Sequence, residues 1–136
     1  MQKYRLTYPQ QNILLVEKFS RDLPINSIVG TVEIDKDFDA KVCNDAINNV
    51  IKNNVAMRLN FIDEDGETMQ YVKEFEYINF EVVKLEKYSD DEKLEYINKC
   101  VLLPLLFEKN ELYDFKILDY GDGKGAFVVY WSSQCY

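Results

Sequence analysis

The sequence predicts a mixed α+β fold with about three helices and a mixed or mostly antiparallel sheet. Three observations predict it. Apolar residues recur at helical spacing in three windows, near 7–20, 39–54 and 89–103. Short runs rich in β-branched and aromatic residues lie between and after those windows. Asp-Gly and glycine-rich stretches join two pairs of the runs, as turns between antiparallel neighbours do. The resulting order is α, β, α, ββ, β, α, ββ.

Each element has a local reason. Thr7-Tyr8-Pro9-Gln10 is a helix start: Thr7 caps, Pro9 has no N–H to leave unpaired in the first turn, and Gln10 completes a capping box. Ile13, Leu14, Val16 and Phe19 give that helix its apolar face, and Gln10 and Gln11 are read as helix-start structure. Arg21 to Pro24 is a loop, and Ser27 to Ile34 a strand. Asp39 caps a second helix carrying Val42, Cys43, Ala46, Ile47, Val50 and Ile51 inward. Asn53-Asn54 closes it, because asparagine tolerates the left-handed conformation at a helix end. Met57 to Ile62 and Thr68 to Val72 flank a turn at Asp63–Gly66 and form a hairpin.

Phe80 to Leu85 is a further strand. Ser89-Asp90-Asp91-Glu92 opens the third helix with a second capping box and acids in the first turn. That helix directs Leu94, Ile97 and Val101 inward and ends before Pro104. Tyr113 to Leu118 and Gly125 to Trp131 form the last strand pair. The loop between them, Tyr120 to Gly125, holds three glycines, but a strand follows it. A phosphate cradle needs a helix N-terminus there, so a β-turn is expected instead.

Composition narrows the function. The 136 residues suit one domain, 1–136, and 47% hydrophobic with 14% aromatic residues argues against disorder. A net charge of −8 argues against nucleic acid, whose phosphates require a basic face. No apolar run approaches the roughly 18 residues of a membrane span, and the first residues lack the apolar stretch of a signal peptide. Cys43 and Cys100 lie inside helical patterns and read as small core residues, which points to a reduced, cytoplasmic protein. With no histidine and no close cysteine pair, no metal site is expected. The acidic clusters at 35–39, 63–67 and 90–92 read as solvated turns and caps.

Four stretches, in order, carry a resemblance. Leu6 to Leu14 is similar to a Ser/Thr-x-x-Gln-x-x-x-Trp helix motif, with Ile13 or Leu14 near the usual Trp. Ile51 to Phe61 is similar to Arg-His-x-x-Leu-Arg-x-x-Phe: Arg58 and Phe61 match, Lys52 stands near the first Arg, and Asn53 or Asn54 takes the His place. The hairpin Asp65-Gly66-Glu67-x-x-Gln70-x-Val72 follows. Leu103-Pro104-Leu105-Leu106 and Glu111-Leu112-Tyr113 are similar to a Pro-Phe-x-Leu…Pro-Leu-Tyr segment, and Phe127–Trp131 is similar to the strand that leads into a His-His-x-x-x-Asp-Gly motif. Together these resemble the N-terminal part, roughly a third, of a nonribosomal peptide synthetase condensation domain.

The resemblance implies a partial chloramphenicol-acetyltransferase-like half. It also implies a parent activity of amide bond formation between acyl and aminoacyl thioesters, carried on phosphopantetheine arms of carrier-protein partners. Ser132 and Ser133 occupy the places of the family's His-His, so no catalytic residue is expected in this chain and the chain alone should be inactive. Arg58 is expected to support the active-site floor, through a charge pair with the Asp of the family motif. No cofactor is expected in the chain itself. One expectation joins the missing histidines to the tail. Ser132 to Tyr136 can be encoded TCA TCA CAA TGT TAT, which one base later reads His-His-Asn-Val, so a frame interruption is anticipated. The alternatives are a non-catalytic interaction module or relic, and a fragment of a related alcohol- or CoA-dependent acyltransferase. An exposed apolar last strand is expected to drive self-association into an oligomer.

Overall fold

A computed structural model describes residues 2–19, 27–101 and 113–132. In chain order the elements are β1 (Lys3–Arg5), α1 (Tyr8–Phe19), β2 (Ser27–Ile34), α2 (Ala40–Asn53), a single 3₁₀ turn (Val55–Arg58), β3 (Leu59–Glu64), β4 (Glu67–Val72), β5 (Glu81–Lys84), α3 (Asp90–Val101), β6 (Tyr113–Gly121) and β7 (Lys124–Ser132). The strands form two sheets, β1-β4-β3 and β2-β7-β6-β5. Every pairing is antiparallel except β5 with β6, which α3 connects as a crossover.

The predicted helix starts are built as the sequence specifies. The Thr7 N–H donates to Gln10 Oε1 at 2.9 Å, and the Ser89 N–H donates to Glu92 Oε1 at 3.1 Å. Asp39 Oδ1 accepts from the Val42 N–H at 3.1 Å. Both two-residue turns adopt positive φ at both positions, 52° and 79° at Asp65-Gly66 and 53° and 72° at Asp122-Gly123. Asp-Gly suits such turns because glycine reaches this region without Cβ strain and aspartate tolerates it. The glycine-rich loop is therefore a hairpin turn.

Several expectations are corrected. The inward face of α2 is Cys43, Asn44, Ile47, Asn48 and Ile51, while Val42, Ala46 and Val50 are exposed. The reason is the extended segment 77–80, whose backbone has no strand partner among the described residues. Asn48 Nδ2 donates to the Ile78 carbonyl at 2.7 Å and Asn48 Oδ1 accepts the Ile78 N–H at 2.8 Å. Asn44 Oδ1 takes the Phe80 N–H at 2.9 Å. Two buried amides thus stand in for a neighbouring strand, and the helix turns to present them. Asn54 ends α2 in an extended conformation with φ −127°, because the chain passes directly into the 3₁₀ turn. That turn also takes Met57 and Arg58, so β3 starts at Leu59. Val16 and Leu94, expected inward, are exposed. The side chains of Phe19, Cys100 and Val101 lie outside the described residues, as do residues 103–106.

The core has three parts. Cys43, Ile47 and Ile51 of α2 pack on Phe115, Ile117 and Val129. On the opposite sheet face Leu85, Leu118, Ala126, Val128 and Tyr130 pack with Tyr96 and Ile97 of α3. Leu6, Leu14 and Phe61 join α1 to the smaller sheet, with Tyr113 touching both this group and the first. β7 is therefore an interior strand, paired on both edges, with Ala126, Val128, Val129 and Tyr130 buried. It exposes neither an edge nor an apolar face over those residues. The expectation of an exposed last strand is corrected accordingly.

Candidate functional site

Arg58 sits where the 3₁₀ turn hands over to β3. Its backbone carbonyl accepts the Lys73 N–H at 2.7 Å, and its Nη1 donates to the Lys73 carbonyl at 3.2 Å. The guanidinium is thereby tied to the chain leaving β4. Its Nε is buried and has no hydrogen-bond partner among the described residues.

Arg58 lines a cavity of about 560 Å³, together with Ile51, Tyr71, Phe80, Tyr113 and Asp114. The 77–80 segment pinned by Asn44 and Asn48 supplies one wall. Tyr113 supplies another, and in the sheet its Cα partner is Trp131, the residue before Ser132. The fold thus brings two separate sequence expectations to one end of the molecule: Arg58, and the strand end at Ser132. Ser133 lies outside the described residues.

The chemistry available at this end is limited. Asp114 already accepts the Tyr130 hydroxyl at 2.6 Å and the Phe115 N–H at 2.8 Å. Cys43 is a buried free cysteine whose thiol pKa is raised by burial, so it is no thiolate nucleophile. The sequence holds no imidazole. No cluster of three or more metal-ligating side chains occurs among the described residues. No helix among them is long and apolar enough to cross a membrane. Gln10 and Gln70, which sequence reasoning left as helix-start and hairpin residues, are buried and joined, Gln10 Nε2 donating to Gln70 Oε1 at 2.8 Å. Gln70 Nε2 continues to the Arg5 carbonyl at 3.0 Å. These amides fasten β1, α1 and β4 together and do not line the cavity.

Comparison with known proteins agrees with this fold. The sequence profile of the Condensation domain family matches residues 1–132. The starter condensation domain of rhizomide synthetase RzmA superposes with a TM-score of 0.87 at 19% identity, over 98% of this chain and 34% of that one. An H140A/R148A mutant of it, in complex with C8-CoA and Leu-SNAC, gives 0.84 at 19% identity, over 97% and 31%. The first condensation domain of the calcium-dependent antibiotic synthetase, in complex with substrate analogue 2a, gives 0.79 at 15% identity, over 97% and 33%. No curated protein sequence matches. The chain spans about a third of the length of these solved structures. With a family profile matched over nearly every residue and a shared fold, this chain belongs to the condensation domain family.

Proposed function

We propose that the chain supplies the N-terminal third of a condensation domain, folded as one unit over 1–136, and that by itself it forms no amide bond. In amide formation the acceptor amine attacks the donor thioester carbonyl, a C–N bond forms, the C–S bond breaks, and the amine proton must leave. A group poised to take that proton near pH 7 is most readily an imidazole. The chain has none, and Ser132 and Ser133 stand in the family's His-His places. The observation that carries the reading is the cavity shared by Arg58 and Tyr113 beside the end of β7. On this reading the chain supplies the floor and one wall, and Arg58 supports that floor through a charge pair with the Asp of the family motif.

On this reading Arg58 is a positioning residue. Carrier proteins bearing phosphopantetheine thioesters would be the partners of the whole domain. The buried, reduced Cys43 fits a cytoplasmic setting. The test incubates the folded chain with an acyl-pantetheine thioester and an aminoacyl acceptor, with mass-spectrometric detection of the amide. The expected rate equals that of the protein-free control. An amide yield above the control would overturn the reading.

A further inference from the structure

We draw no further inference here: the strongest candidate, the groove of about 290 Å³ between α1 and the β3–β4 turn lined by Leu6, Leu14, Leu15 and Thr68, carries nothing because nothing in the structure shows what covers it.

Discussion

Gly125→Ala is expected to lower the melting temperature by roughly 10 °C, corresponding to about 3 kcal/mol in a domain of this size. A Cβ at this position would lie 2.5 Å from two carbons of the Phe38 ring and 2.6 Å from the Leu118 carbonyl oxygen. The ring can retreat by rotation. The carbonyl cannot, because it belongs to β6 inside the sheet and Leu118 is fully buried. The requirement is therefore for space, at the point where the loop before α2 folds down onto the β6–β7 hairpin. The Phe38 N–H donates to the Gly123 carbonyl at 2.8 Å, so the loop is fixed from both sides. Thermal melts of Gly125→Ala, Phe38→Ala and the double variant separate the two contacts. The double variant should be less unstable than the sum of the singles, because part of the alanine clash is with the ring. A melting temperature unchanged in Gly125→Ala would refute this packing.

Asn48→Leu is expected to cost about 2–4 kcal/mol, although it replaces a polar residue with an apolar one in a buried place. Asn48 is only 2% exposed, and its amide serves the Ile78 N–H, the Ile78 carbonyl and the Asn44 carbonyl. Leucine strips the part-buried Ile78 N–H of its partner, and an unmet donor costs up to about 1–3 kcal/mol as its access to water falls. The Ile78 carbonyl keeps Asn44 Nδ2 at 3.0 Å, so the damage falls on the donor. Hydrogen exchange locates it: the Ile78 amide should lose protection by at least about tenfold beyond the global change, with Phe80 following less. Because the same segment walls the Arg58 cavity, this variant also loosens the candidate site. Unchanged exchange at Ile78 would show that the helix amides do not hold the segment.

These two positions also show why part of the fold was hidden in the sequence. Helix starts were legible because a capping box is local: Thr7 with Gln10 and Ser89 with Glu92 need only three residues' separation. The Asp-Gly turns were legible for the same reason. The α2 register was not. Val42, Ala46 and Val50 are more apolar than Asn44 and Asn48, and only a backbone segment thirty residues downstream makes the asparagines the better inward choice. β1 was missed because Lys3-Tyr4-Arg5 is too short a run for its alternation to be read as a strand. The parallel pairing of β5 with β6 depends on a crossover through α3, which periodicity does not encode. For β7, composition showed an apolar strand but not that both its edges are occupied. At the site, the motif resemblance pointed to Arg58 and to the end of β7, while the part played by Tyr113 emerged only from the Tyr113–Trp131 pairing.

The claim that this chain is the floor of a condensation site lacking its imidazole can be tested by completion. The chain would be extended from Ser132 with the remaining two-thirds of a related condensation domain, once with Ser132→His and Ser133→His and once with both serines kept. Amide formation from carrier-bound thioesters is then measured. The account expects product only from the His-His form, and a loss of at least about tenfold in that form on Arg58→Ala, without loss of folding. Equal product from the serine form, or full activity without the Arg58 guanidinium, would contradict it.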